Sequence, residues 1–232
     1  MDMKHTEKEL QALKEEVNQM WKLVLSQLEK ARQSFFGNDI DLAREIASRE
    51  KRVNAFELKI DSDCENYIAL YSPVAIDLRL VLSLIKIGST LERIGDFAEG
   101  IARHVIDNDC NTLDASLIEE LQLEKMFDTL IGMLYDSYVA LESENTKLSG
   151  KILAKDEEID LLYRNSINIL TDYLQSNPTF IRCGLKTCLL IRKLERIGDH
   201  CSNIVEEIVF YVDAKVLKHG GGKYKENRLH IE

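Results

Sequence analysis

Proline is almost missing from this chain of 232 residues, which contains only Pro73 and Pro178. With so few breakers and a majority of helix formers, a many-turned β fold is excluded and helices are expected. No uncharged apolar run reaches the ~18–20 residues that a membrane span requires. The opening segment, MDMKHTEKEL, lacks the apolar stretch of a secretory signal. The five cysteines, Cys64, Cys110, Cys183, Cys188 and Cys201, are odd in number and form no Cys-x-x-Cys. That gives no sign of a disulfide framework or a zinc knuckle, and points to a reduced, cytosolic protein.

Positive charge is also scarce, with a formal net charge of −10. An acidic chain is a poor match for a nucleic-acid backbone, so no nucleic-acid partner is expected. The acidity suits a cation ligand or a basic protein partner, and equally a merely solvated surface. Catalytic constellations are missing as well. None of the five histidines follows a glutamate by three residues, so a ferritin-like di-iron bundle is excluded. Neither a GxxxxGK[ST] phosphate loop nor a Gly-x-Ser-x-Gly elbow is present. The chain is expected not to be an enzyme.

What the chain does contain is a duplication. LERIGD occurs at Leu91–Asp96 and again at Leu194–Asp199, an offset of 103. At that offset Ile101 aligns with Ile204, Val105 with Ile208 and Arg79 with Arg182. Earlier in the chain the offset is 106, aligning Met20 with Met126, Leu42 with Leu148 and Ile46 with Ile152. Both prolines precede the LERIGD segment, and Ser72-Pro73 and Asn177-Pro178 both read as an N-cap followed by proline at N1.

Each copy reads as three helices. In copy one they run roughly over 6–36, 40–70 and 73–107, the first with an apolar stripe of Leu10, Leu13, Val17, Met20, Val24 and Leu28. Gly37 is a C-cap candidate, and Asn38 or Asp39 can cap the next helix. In copy two the helices run roughly over 116–143, 145–176 and 178–213, opened by a Ser116–Glu119 capping box. Long helices with short connections become antiparallel neighbours. The expected fold is all-α, with two tandem, pseudo-symmetric three-helix bundles at 1–110 and 111–215. The tail, 216–232, reads as flexible.

The third helix of each copy carries a candidate site. At about 100° per residue, Ile87, Leu91, Ile94, Ala98, Ile101 and Val105 form a core stripe. Glu92, Asp96 and Glu99 fall roughly 145° from its centre and are expected to face outward. Copy two repeats this with Glu195, Asp199 and Glu206. Carboxylates at i,i+4 repel by about 0.2–0.5 kcal/mol in an isolated helix, and a bound cation would turn that repulsion into attraction. Glu57 and Asp61 on the second helix, and Asp156 and Asp160 on the fifth, share the spacing. Second and third helices can lie side by side, so four carboxylates can converge. The competing reading is a solvated face, neutralised in part by Arg93 and by a Glu99–Arg103 pair. Arg192, Lys193 and Arg196 likewise read as a solvated basic group. Gly95 and Gly198, each inside LERIGD, mark close helix approach.

The doubled LERIGD, the stretch AIDLRLVLSLIKIGSTLERIGD, NAFELKID in helix two, KDEEIDLLY in helix five, the ending IVEEIVFYV and a glycine-bearing tail together resemble the PhoU family over nearly the whole chain. The resemblance implies a PhoU-like six-helix fold and a negative regulator of phosphate-starvation signalling and phosphate uptake. It implies an adaptor between a phosphate-specific ABC transporter and a sensor histidine kinase, peripheral to the inner face of the cell membrane and commonly homodimeric. It further implies metal binding by E(D)xxxD motifs, with iron, zinc or magnesium as the metal. The motif positions here are Glu57, Asp61, Glu92, Asp96, Asp156, Asp160, Glu195 and Asp199. The copies are unequal, because Glu57 and Asp61 align with Tyr163 and Ile167, while Asp156 and Asp160 align with Glu50 and Asn54. A metal store, a metalloenzyme or the regulator of a different transporter are the alternative readings.

Overall fold

Seven helices and one two-stranded ribbon make up the computed structural model, which describes residues 3–107, 114–220 and 223–228. Helix α1 spans Met3–Gly37, α2 Ile40–Tyr71 and α3 Ala75–Asp107. In copy two, α4 spans Ala115–Glu120, α5 Leu123–Glu142, α6 Ser149–Ser176 and α7 Ile181–Asp213. The apolar stripes read from the sequence are the core. Val17, Met20, Val24, Leu28, Ile87, Leu91, Ile94, Leu194, Ile197 and Ile204 are all fully buried. Burying each such side chain contributes roughly 1.5–3 kcal/mol, far more than any propensity difference along these helices.

The helix ends show where local chemistry departs from expectation. The α1–α2 turn follows the sequence: Asn38 takes a left-handed φ of 48°, and the Asp39 side chain accepts from the Leu42 amide at 2.9 Å. Ser72 is no N-cap. It closes α2 in the left-handed conformation, donating its amide to the Ile68 carbonyl, and α3 starts two residues past Pro73. Pro178 does stand at the first position of a turn, a short 3-10 segment over Pro178–Phe180 leading into α7. The capping box at Ser116 is replaced by Asp114, whose carboxylate accepts from the Ser116 amide at 3.2 Å. The single helix expected over 116–143 is broken, because Gln122 adopts φ 51° between α4 and α5. In the tail, Lys215–Gly220 and Lys223–Arg228 pair as an antiparallel ribbon, so regular structure extends into the segment read as flexible. The boundary expected between the copies lies at 108–113, outside the described residues.

Helices α1, α2 and α3 pack on one another, as do α5, α6 and α7, and α3 packs on α7. Phe97 and His200, equivalent positions at offset 103, stack with ring centroids 5.6 Å apart and 28° between planes. Equivalent residues must meet where a pseudo-twofold axis crosses, so this pair marks the axis between the copies. His200 is buried there, its imidazole pushed down to about 4 by burial and then by Arg196 and Arg93. The junction is tied by Arg79 Nε donating to the Tyr211 carbonyl (3.2 Å) and Ser83 Oγ to the Glu207 carbonyl (3.1 Å). Trp21 Nε1 donates to the Leu134 carbonyl at 3.2 Å, joining α1 to α5.

Cys64, Cys188 and Cys201 are free thiols, whereas Cys183 is disulfide-bonded, correcting the expectation of no disulfide. No described helix is long and apolar enough to cross a membrane.

Candidate metal centre in two carboxylate seams

The acidic stripes lie along the seams where the second helix of each copy packs on the third; Glu195 is buried there, Glu92 and Asp199 are half-buried, and Asp96 is exposed. In the α6–α7 seam the packing needs Gly198. A Cβ there would stand 2.7 Å from Asp156 Oδ1 and 3.5 Å from the Ile159 side chain. The missing side chain therefore makes room for a carboxylate as well as for close helix approach. Asp156 is buried, and Ser202 Oγ donates to its Oδ2 at 2.7 Å. One turn further along α6 is Asp160. One oxygen from each of Asp160, Glu195 and Asp199 lies within 4.8 Å of the other two. Among the described residues this is the one group of three or more acidic, histidine or cysteine side chains so close.

Glu195 is 8% exposed, which corrects the outward placement read from the helical wheel. The wheel places it far from the bundle centre, but α6 covers that side. Its Oε1 accepts from Arg192 Nη1 at 2.8 Å, while Oε2 is buried with no hydrogen-bond partner. Burial first, then Asp199 and Asp160, raise its pKa above the usual glutamate value, against Arg192 and Arg196. Arg196 Nη1 donates to Asp199 Oδ2 at 3.0 Å. The Arg192 guanidinium also lies 5.2 Å from the centre of the Tyr163 ring. Arg192 and Arg196 are thus counter-ions of the seam rather than a solvated basic group.

The α2–α3 seam runs antiparallel in the same way. Val53 sits 3.2 Å from the Cβ position of Gly95, and Ile60 sits 3.4 Å from that of Gly88. One heptad forward on α2 therefore meets one heptad back on α3. This register brings Glu50 and Glu57 into range of Glu92 and Asp96. Burial, then Asp96, Glu57 and Glu50, hold Glu92 above its ordinary value, and burial, then Glu50 and Glu99, do so for Asp96, with Arg93 opposing both. Asn54 Nδ2 donates to Glu50 Oε1 at 3.1 Å, and Asn54 Oδ1 is buried without a partner. Asp61 is not brought into the group. It lies beside Ile60, level with Gly88, and its raised value comes from burial and then Glu65. Arg103 pairs with Glu99 at 2.6 Å, as expected from the spacing.

The two seams therefore share three carboxylate positions and differ at the fourth, which is Glu57 in copy one and Asp160 in copy two. Offset 106 carries Glu50 to Asp156 and Asn54 to Asp160, and offset 103 carries Glu92 to Glu195 and Asp96 to Asp199. Glu50 is the residue that motif spacing missed, and its alignment with Asp156 is the signal that finds it. The donors are all oxygen, the set that suits hard or borderline cations. An orphaned, buried carboxylate oxygen fits a cation that would complete its coordination. No nucleophile is paired with a base in either seam, and the neighbouring Cys201 thiol is held up by burial and then by Asp156, which keeps it inert.

A helical unit used twice, with a carboxylate-lined seam in each copy, defines a tandem-bundle protein. Comparison with known proteins then identifies which one: a family model described as the PhoU domain matches residues 17–105 and 123–208, and the chain belongs to the PhoU family. The phosphate-specific transport system accessory protein PhoU of Edwardsiella tarda is 34% identical over 221 residues, covering 95% of this chain and 90% of that one. The protein of the same name from Escherichia coli (strain K12) is 33% identical over 214 residues, covering 92% and 88%. The crystal structure of PhoU from Pseudomonas aeruginosa superposes with a TM-score of 0.81 at 28% identity, covering 90% of this chain and 99% of that one. The phosphate transport system regulatory protein PhoU from Streptococcus pneumoniae gives 0.80 at 27% identity, covering 92% and 100%. These relatives carry accessory or regulatory names, not enzyme names, in keeping with a non-enzymatic chain.

Proposed function

We propose that this chain regulates phosphate uptake as the accessory protein of a phosphate-specific transport system. In the fuller form of the reading it is a cytoplasmic negative regulator that links the transporter to a sensor histidine kinase and acts as a homodimer. The whole-length likeness to relatives named for a phosphate-specific transport system supports it. Deleting the gene should derepress phosphate-starvation genes in phosphate-replete cells. Unchanged expression in the deletion strain would sink the reading.

The same proposal includes a metal held in the seams. Glu195 carries it, as a buried carboxylate with one oxygen unpartnered beside Asp160 and Asp199. Asp160, Glu195 and Asp199 would hold the ion in copy two, with Asp156 alongside, and Glu50, Glu57, Glu92 and Asp96 would do so in copy one. A bound iron, zinc or magnesium ion supplies positive charge that relieves carboxylate repulsion and ties α6 to α7. The residues' own part is to stay ionised, to exclude water at Glu195 and to keep the seam closed through Gly198. Elemental analysis of protein purified without chelator tests this; metal-free protein that takes up none of the three ions would refute it.

A further inference from the structure

The first half of α7 shows an aliphatic row that neither the fold nor the seams account for. Ile181, Leu185 and Leu189 are 51%, 60% and 64% exposed. At i, i+4 and i+8 they form one stripe, about 12 Å long from end to end. Single exposed aliphatics are ordinary, but an aligned row signals an interaction surface. The charge around it is unusual for this chain. Residues 178–194 contain no Asp or Glu and four basic residues, Arg182, Lys186, Arg192 and Lys193, within a protein of net charge −10. Beside Leu189 a recess of about 320 Å³ opens between α3 and α7, bordered by Arg103, His104, Lys186 and Lys193, with Asp107 as its one carboxylate. Crowding of cations there is felt by His104, held below its usual value by burial and then by Lys193 and Lys186.

The other copy shows that the architecture does not require this face. The positions of Leu185, Lys186, Leu189, Arg192 and Lys193 are held in copy one by Leu82, Ser83, Lys86, Ser89 and Thr90. There, Lys86 pairs with Glu207 at 2.9 Å and Ser83 donates to the Glu207 carbonyl, where in copy two Lys193 Nζ donates to the Gly100 carbonyl at 2.9 Å and Leu189 is left uncovered. Copy two has exchanged polar positions for an aliphatic and three cations.

We propose that the face of α7 from Ile181 to Lys193 docks an acidic, amphipathic segment of a partner protein. Leu185 and Leu189 receive its apolar side, and Lys186 and Lys193 its carboxylates. A row of aliphatics beside a recess is the shape of a helix-in-groove site, and the basic rim selects acidic partners. A flat anionic bilayer would use the cations but leave the recess empty. The surface stands apart from the seams and does not depend on a bound metal.

The test places a photo-crosslinking benzoylphenylalanine at Leu185 in the full-length chain, in its own cells, with Leu58, 70% exposed on α2, as the control position. The expected result is one protein adduct from position 185 that is absent from position 58. Mass spectrometry should place the cross-link in a net-negative segment with apolar residues at i,i+4. Lys186→Glu with Lys193→Glu should cut the adduct at least tenfold, and Lys186→Arg with Lys193→Arg should keep it, with equal melting temperatures. If the charge-reversed protein does not fold, the charge of the cross-linked segment decides alone. A neutral or basic segment, a second copy of this chain, a lipid adduct, or no adduct above the control would each overturn the proposal.

Discussion

The α2–α3 and α6–α7 seams start from one plan and end with different electrostatics. Each has acidic residues at i,i+4 on its last helix and a glycine between them, Gly95 or Gly198. In copy one, Gly95 faces a Val53 methyl, and the carboxylates of Glu50, Glu57, Glu92 and Asp96 influence one another while Arg93 stands by. In copy two, Gly198 faces the Asp156 carboxylate itself, Tyr163 replaces Glu57, and Arg192, where copy one has Ser89, stacks on that tyrosine and pairs with Glu195. Two exchanges thus removed a negative charge and added a positive one. Duplication conserved the backbone register, while a few substitutions changed how each copy balances its buried charge.

The largest expected effect comes from Glu195→Gln, which removes the buried, orphaned carboxylate oxygen. Metal affinity of the α6–α7 seam should fall by at least the ~10–100-fold that loss of even an outer partner costs. Glu92→Gln should spare that site. Isothermal titration of each variant separates them, and equal losses would break the comparison.

Next are the two glycines. Gly198→Ala forces Asp156 off its Ser202 hydrogen bond and should cost about 1–3 kcal/mol, as overpacking does. Gly95→Ala meets only a methyl at 3.2 Å and gains helix propensity, so its change should stay below about 1 kcal/mol. Urea midpoints at constant m-value measure both.

A smaller shift is expected from Arg192→Ala. Glu195 loses its counter-ion, its pKa rises further, and the seam should bind a divalent cation a fewfold more tightly. Weaker binding would mean that Arg192 organises the site instead of competing for it.

Smallest is a pH effect in metal-free protein. The Glu195 value is raised on folding, so the native state binds the proton more readily than the unfolded state, and stability falls as pH rises through the window just above 4.5. The stability of the wild-type chain relative to Glu195→Gln should therefore increase as pH is lowered towards 4.5. His200, held down to about 4, works in the opposite direction from 6.5 downward but is common to both proteins and cancels. A difference curve flat with pH would contradict the buried placement of Glu195.

The repeat and the core stripes were legible because a 3.6-residue periodicity sustained over some thirty residues leaves little choice, whereas the break at Gln122 that makes seven helices of the expected six was not. The capping errors at Ser72 and Ser116 are local, since short polar side chains next to a turn have several backbone partners within reach. For the site, Glu92, Asp96, Glu195 and Asp199 were visible as a repeated pair. The burial of Glu195 was not, because a single-helix wheel cannot show that a neighbouring helix covers the far side. Spacing at i,i+4 describes one helix, whereas a place in the seam depends on interhelix register, which sets Asp61 level with Gly88, one turn from Glu57. Aligning the copies supplies that register and adds Glu50.

The inequality of the seams is tested most directly by anomalous scattering from crystals grown without chelator and given less than one equivalent of iron or zinc. The expected map has one dominant peak among Asp160, Glu195 and Asp199. Equal peaks in both seams, or a single peak between Glu57 and Asp96, would contradict it.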